Sequence, residues 1–344
     1  MTAVLVTGGA GYIGSQTVLA LLDAGLTPVV LDNLSTGVRA AVPPGVVFVE
    51  GDASDPTLVT WLLRRHRVDA VLHFAASLIA PESVSQPLVY WRNNLGTTLG
   101  LLEGCVRAGV RNIVLSSTAA VYGNPDILPV DEDAPCRPIN PYGASKLAVE
   151  RLAADAAAAH GMSVVALRYF NVAGADPAGR SGLRRPGATH LVHVACEVAL
   201  GRRESVTVYG DDYATPDGTG VRDYIHVADL AAAHLAALRH LRAGLGGVTL
   251  NCGYGRGHSV LAVLRAVERA AGCPVPWHLA PRRLGDPPSV VASGERIRAL
   301  LGWRPANDSL DRIVTDALAW ECRAGPSQRL ASAPSWSQRA RFHE

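Results

Sequence analysis

A short β-branched run at residues 4–7 leads directly into Thr7-Gly8-Gly9-Ala10-Gly11-Tyr12-Ile13-Gly14, and the first amphipathic segment opens immediately afterwards. Two glycine spacings overlap here, one on Gly9, Gly11 and Gly14 and a wider one on Gly8, Gly11 and Gly14. Glycines let the backbone turn tightly and approach a pyrophosphate, whose charge then rests on the helix N-terminus. The spacing alone is weak evidence, because strand-to-helix turns use glycine anyway. Its weight comes from the strand–turn–helix setting at the start of an alternating chain.

That alternation continues through the first half. Segments 29–32, 46–50, 70–74, 112–117 and 164–168 read as strands, and segments 15–24, 56–65, 94–108 and 145–160 as helices. Continuous apolar strands separated by helices predict an α/β protein with a doubly wound parallel (Rossmann) sheet covered on both faces. In such a sheet ligands bind beyond the carboxyl ends of the strands. From about residue 174 the texture changes. Glycine, proline and charge punctuate 173–188 and 210–222, which predicts a smaller C-terminal substrate-binding lobe over that edge. The expected division is 1–173 for the Rossmann domain, with returning segments near 223–255, and 174–324 mainly for the second lobe. Helical segments at 227–242 and 259–271 are expected to return partly to the first lobe. Residues 325–344, rich in Ser, Arg, Ala and Pro, read as a mobile tail.

A formal charge of +2, with arginine spread along the chain, gives no reason to expect nucleic acid or an anionic membrane as partner. No stretch approaches the roughly 18 apolar residues of a transmembrane helix. The N-terminus lacks the basic region of a signal peptide. The six cysteines are scattered without a C-x-x-C pair, which suits reduced cytoplasmic thiols better than disulfides or zinc, and no metal site is expected.

Asp32 ends the second strand, where a carboxylate can accept both hydroxyls of an adenosine ribose and repel a 2′-phosphate. This favours NAD over NADP; a turn-forming Asp-Asn pair is the plainer alternative. Asp52, after the third strand, suits either an adenine contact or a turn cap. The catalytic candidates are Thr118, Tyr142 and Lys146. Lys146 is the chain's one lysine against thirty-one arginines, and it stands four residues after Tyr142. An ammonium is a compact point charge where a guanidinium is a broad fork. On a helix the two side chains share a face. A free phenol has a pKa of about 10, and lowering it to about 7 needs roughly 4 kcal/mol of preference for the phenolate. Lys146 together with a positive nicotinamide ring would supply it.

With these residues in place, the sequence resembles the extended short-chain dehydrogenase/reductase family, and most closely its UDP-hexose 4-epimerase branch. The likeness runs from Val4 to about Glu321, through TGGAGYIG, LDNLSTG, HFAA at 73–76, SST at 116–118, PYGASK, RYFNVAGADP, GTGVRDYIHVADLA and APRRLGDPP. It implies interconversion of UDP-galactose and UDP-glucose with NAD held through the cycle, in a cytoplasmic homodimer. It implies a cofactor site of Gly8, Gly11, Tyr12, Ile13, Gly14, Asp32, Asn33, Asp52, Ala53, Phe74, Ala75, Ala76, Asn94, Lys146 and Tyr169. The substrate site would comprise Thr118, Tyr142, Asn171, His190, Leu191, Tyr209, Arg222, Arg283, Asp286 and Val290. Within it Tyr142 would be the base at the sugar C4 hydroxyl, Thr118 the bridge between hydroxyl and phenol, and Lys146 the holder of the nicotinamide ribose. Asn171, Arg222 and Arg283 would bind the UDP phosphates, and Asp286 the ribose.

Four departures stand out. Leu78 occupies a place where several members carry a lysine near the cofactor phosphates. Gln16 replaces a histidine, with little effect expected. His190 stands where many relatives have asparagine near the uracil. Val290 falls where some members have tyrosine, and its small side chain leaves room for an N-acetyl group, so UDP-N-acetylglucosamine is an alternative substrate; UDP-pentoses are a further alternative, independent of Val290. A nucleotide-sugar 4,6-dehydratase needs an acid and a base after the threonine, yet Ala119 and Ala120 follow Thr118. A UDP-glucuronate epimerase or decarboxylase is disfavoured by the RYFN and GVRDYIHV segments. An NAD-sensing regulator would have no need of Tyr142 and Lys146.

Overall fold

The computed structural model describes residues 3–185 and 187–323. Its first half alternates as the sequence predicts: β1 (Ala3–Thr7), α1 (Tyr12–Asp23), β2 (Thr27–Asp32), β3 (Val47–Glu50), α2 (Pro56–Arg65) and β4 (Val68–His73). There follow α3 (Ala80–Ser85), α4 (Pro87–Ala108), β5 (Asn112–Thr118), α5 (Pro141–His160) and β6 (Ser163–Tyr169). The second half contributes β7 (Asn171–Ala173), α6 (Leu191–Ala199), β8 (Val206–Tyr209), β9 (Val221–His226), α7 (Val227–Arg242) and β10 (Val248–Cys252). The remaining elements are β11 (Gly257–Ser259), α8 (Val260–Ala271), β12 (Trp277–Ala280), β13 (Ser289–Val290), α9 (Glu295–Leu301) and α10 (Leu310–Arg323). The tail expected at 325–344 lies outside the described residues.

Seven strands form one sheet in the order β10-β6-β5-β4-β1-β2-β3, every neighbouring pair parallel. The direction of winding reverses between β1 and β4, which leaves a crevice beyond their carboxyl ends. Alternate residues of each strand serve the two faces. On β1, Val4 and Val6 join the core shared with α1 and α7, while Ala3 and Leu5 join the core under α2, α4 and α5. This two-sided burial explains why the strands read as unbroken apolar runs.

Two helices start earlier than their apolar periodicity suggests. The helix expected at 94–108 begins at Pro87, because proline is tolerated in a first turn where the N–H is unpaired in any case. The helix expected at 145–160 begins at Pro141, capped by Asn140, whose Oδ1 accepts from Gly143 N at 2.9 Å. That extension carries Tyr142 into the first turn of α5.

In the second half, β9 pairs with β7, β11 and β13, and β8 with β12. α7 and β10 return to the large sheet. α8 does not: it packs chiefly against α6 and α10, because its apolar face meets theirs rather than the sheet. Asp229, in the first turn of α7, ties the last third of the chain to this return. It is 3% exposed and accepts from Tyr254 Oη (2.6 Å), Ala306 N (3.1 Å), Asn307 N (2.9 Å) and Asn307 Nδ2 (2.9 Å). Alanine at this position strands several buried donors, each worth about 1–3 kcal/mol. Asp229→Ala is therefore expected to destabilise the protein by about 3 kcal/mol, read from urea unfolding followed by tryptophan fluorescence.

Candidate active site

A cleft of about 420 Å3 opens beyond the carboxyl ends of β1 to β6. At one end the glycine loop forms a cradle. Gly8 has a φ of +70°, and a Cβ on Gly14 would stand 2.2 Å from the Gly8 carbonyl oxygen. A Cβ on Gly8 would stand 2.7 Å from Ala75 N, so β1 and β4 approach here as closely as backbone allows. Gly11 caps α1 without a side-chain acceptor, so the amides of Tyr12, Ile13 and Gly14 lack intrahelical partners. Gly8, Gly11, Tyr12, Ile13 and Gly14 all line the cleft. Such a terminus suits an anion.

At the adjoining strand end Asp32 is buried and lines the cleft. Its carboxylate accepts from Ala10 N (2.9 Å) and Leu34 N (2.8 Å). Burial raises its pKa, and these two bonds oppose the rise. Asp52 caps a turn through Ser54 N (2.8 Å), accepts from Asn33 Nδ2 (3.1 Å), and lines the cleft with Ala53. Phe74, Ala75 and Ala76 continue the wall from β4. A backbone cradle for a diphosphate beside a carboxylate for vicinal hydroxyls fits a dinucleotide such as NAD.

At the far end Thr118, Tyr142 and Lys146 face the same cleft. The Thr118 hydroxyl accepts from Ala120 N at 3.1 Å. Burial raises the pKa of the Tyr142 phenol, and the neighbouring Thr118 hydroxyl lowers it. Lys146 is 4% exposed and donates to the Ser116 carbonyl at 2.9 Å. Burial brings its pKa down to about 8, against the pull of the Glu150 carboxylate one turn away. His73 beneath is held neutral, its pKa pushed down to about 3 by burial and by the Lys146 charge. Thr98 Oγ1 donates to Asn94 O (2.9 Å) and so accepts from His73 Nε2 (3.1 Å), leaving Nδ1 to accept from Thr7 (2.7 Å). Tyr169 lines the cleft and bonds Ser116 through its hydroxyl.

From the second half Asn171, His190, Arg222, Asp286 and Val290 reach the cleft. Burial lowers the pKa of Arg222, which donates to the carbonyls of Val221 (2.9 Å) and Pro288 (3.4 Å). Among the described residues no carboxylate lies within 4 Å of its guanidinium. A half-buried cation bound to two carbonyls, with only the more distant Asp286 carboxylate drawing on its charge, suits an anionic ligand. His190 leaves Nδ1 buried and unpartnered among the described residues, and burial lowers its pKa to about 4.

Four expected residues do not line the cleft. Asn94 lies below it, where Oδ1 accepts from Ser77 N (2.7 Å) and Nδ2 donates to Ser145 Oγ (2.9 Å). Leu191 packs against the core as the first residue of α6. Tyr209 and Arg283 stack on each other, with the guanidinium 4.0 Å from the ring centroid, and Arg283 turns to Asp286 at 3.4 Å. Sequence reasoning missed Ser116, Phe170 and Arg185, which do line it. Ser116 lies within the SST segment and Phe170 within RYFNVAGADP; Arg185 carries no sequence signal beyond its charge. Of the departures, Leu78 is 42% exposed on the cleft wall. Gln16 is buried instead and donates to Asp176 Oδ1 at 3.2 Å, tying α1 to the segment after β7.

The model of the NAD dependent epimerase/dehydratase family matches residues 4–253. The chain is 57% identical over 334 residues to a UDP-glucose 4-epimerase of Azospirillum brasilense, covering 97% of this chain and 96% of that one. The structure of UDP-glucose 4-epimerase from Brucella ovis in complex with NAD superposes with a TM-score of 0.90 at 44% identity, over 93% of this chain and 98% of that one. The Bifidobacterium longum UDP-glucose 4-epimerase in complex with NAD+ and UDP gives 0.89 at 38% identity, over 94% and 99%.

Proposed function

The chain belongs to the NAD dependent epimerase/dehydratase family, and from that premise we propose that it interconverts UDP-galactose and UDP-glucose by oxidation and re-reduction at the sugar C4. The observation that carries the reading is one cleft holding the dinucleotide cradle, the Thr118–Tyr142 pair and the buried Lys146.

The Gly8–Gly14 turn and Asp32 would hold NAD, which when bound would supply the hydride acceptor and donor at C4. The chain's own work is proton handling and grip. Tyr142 takes the C4 hydroxyl proton, with Thr118 relaying it, and returns it after the 4-keto sugar has presented its other face. Lys146 favours the phenolate as a nearby cation. Arg222 and Asn171 grip the nucleotide, with Arg283 turning in from Asp286 as an added contact. Around Tyr142 the walls are Ala119, Ala120, Phe170 and Val290, which offer the sugar no charged clamp. Two alanines after Thr118 leave no acid–base pair for elimination, against a dehydratase. Residues 1–173 with the return near 223–255 serve the cofactor in this reading, and 174–324 the nucleotide sugar.

Purified protein is expected to convert UDP-galactose to UDP-glucose with no NAD added, scored by quenching the mixture and separating the two nucleotide sugars chromatographically. Conversion only after NAD is supplied would remove retained cofactor from the reading and implicate Leu78. No conversion with NAD present would remove the substrate.

The enzyme is further read as a cytoplasmic homodimer. Its six cysteines are unpaired, and no helix among the described residues is long and apolar enough to cross a membrane. The outer face of α4 exposes Leu88 (74%), Trp91 (37%) and Leu99 (47%). A double Leu88→Glu/Leu99→Glu variant is expected to run as a monomer in light scattering, while the parent runs at twice the chain mass.

A further inference from the structure

The short helix α3 takes no part in the chemistry above, yet it is built against the residue that does. Two contacts converge on Tyr142 from residues 79–90. Tyr142 N, a first-turn amide without an intrahelical acceptor, donates to Ser83 Oγ at 3.1 Å. Ser83 is fully buried and donates in turn to Ala80 O at 2.6 Å, so its hydroxyl is fixed in direction. The Tyr142 ring meets Tyr90 edge-on, centroids 6.4 Å apart and planes at 84°, within the range of favourable aromatic pairs. Tyr90 is 1% exposed, and its own hydroxyl is pinned at both ends. It donates to Glu82 Oε2 at 2.8 Å and accepts from Ile79 N at 3.0 Å.

We propose that α3 and the first turn of α4 form a latch that positions Tyr142, with Ser83 of α3 fixing its backbone and Tyr90 of α4, braced by Glu82, fixing its ring. The proposal rests on the epimerase reading and adds positioning residues to it. Neither Ser83 nor Tyr90 lines the cleft, so both act through Tyr142 rather than on the sugar. The placement that matters is that of the phenol beside Thr118 and Lys146, which both favour the phenolate in this reading. A ring that drifts from them becomes a weaker acid. Its acid limb in the rate profile then moves to higher pH, since the base must be ionised to act.

The test compares Ser83→Ala, Tyr90→Leu and Tyr90→Phe with the parent, each purified with its bound NAD. Ser83→Ala and Tyr90→Leu are expected to lower kcat for UDP-galactose by about 10- to 100-fold, the scale of a small misplacement of reacting groups. KM and NAD content stay within about twofold, and the acid limb rises by about half a unit or more. Tyr90→Phe keeps the ring and drops the hydroxyl, so it loses only about threefold and recovers most of the limb. Where Ser83→Ala does not fold, the two Tyr90 variants decide. Equal rates in all variants overturn the latch, as does a fall in kcat that follows lost NAD or lost Tm with the limb unmoved. The parent distinguishes the two readings: if it fails to convert UDP-galactose, the epimerase assignment falls, whereas an active parent with unaffected variants sinks only the latch.

Discussion

Tyr142→Phe is expected to reduce kcat for UDP-galactose at least about 10³-fold, while the protein keeps its NAD and its KM changes little. The substitution deletes one oxygen from a side chain whose ring stays wedged against Tyr90. What disappears is the phenol oxygen whose pKa the Thr118 hydroxyl lowers, the group that carries the proton in both directions of the proposed reaction. General acid–base groups contribute typically about 10² to 10⁴. Here one residue serves as base and then as acid, so its loss belongs at the upper end. Thr118 is a poor replacement, since an aliphatic hydroxyl is a far weaker acid than a phenol. Steady-state assay with NAD content measured in the same preparation decides it. Activity within about tenfold of the parent would move the base elsewhere in the cleft.

The second large effect lies beneath the cleft. Arg168 on β6 and Glu150 on α5 form a buried pair, 8% and 9% exposed, joined by two bonds of 2.9 and 2.6 Å. Ser117 also donates to Glu150, and Arg168 reaches Tyr122 Oη at 3.0 Å. Tyr122 passes the chain on to Asn251 Oδ1 at 2.7 Å. Arg168→Met removes one ion and leaves the other buried, an imbalance of about 3–5 kcal/mol. The expected result is a loss of that size in urea unfolding. An Arg168→Met/Glu150→Leu double variant should recover more than half, because an apolar pair has no stranded charge. A single substitution costing under about 1 kcal/mol would mean that water reaches the pair. The pair also bears on chemistry, since Glu150 is one turn from Lys146 and its charge holds that lysine's pKa up. Unbalanced, Glu150 would raise it further.

The parallel sheet and the cradle were legible because both are local. Alternating runs and a glycine turn are each written within about a dozen residues, and Asp32 sits at a strand end that the runs themselves define. Tyr142 and Lys146 were legible as an i, i+4 pair, and both face the cleft. Their division of labour was not. Sequence reasoning gave Lys146 and the cofactor the whole task of acidifying the phenol. The fold brings Thr118 to it from another strand and aims the ammonium at the Ser116 carbonyl. Arg168 with Glu150, and Tyr142 with Ser83 and Tyr90, escaped notice for the same reason: partners 18 to 59 residues apart share no period that a window can detect. Asn94, Tyr209 and Arg283 show the converse. Each lies in a recognisable segment, yet side-chain direction sends one under the floor and stacks the other two on each other. The starts of α4 and α5 were hidden by proline, which reads as a break but serves as a first-turn residue.

The burial of Lys146 also sets how the protein meets reagents. Every other basic side chain is arginine, so the outer surface carries its positive charge without a single side-chain amine. Acylating dyes, crosslinkers and activated supports that consume amines find only one such target in the side chains, and it lies at the bottom of the cleft with 4% of its surface open. A coupling chemistry that scatters over most proteins becomes selective here, and its rate at Lys146 is a gauge of whether the cleft stands filled or vacant.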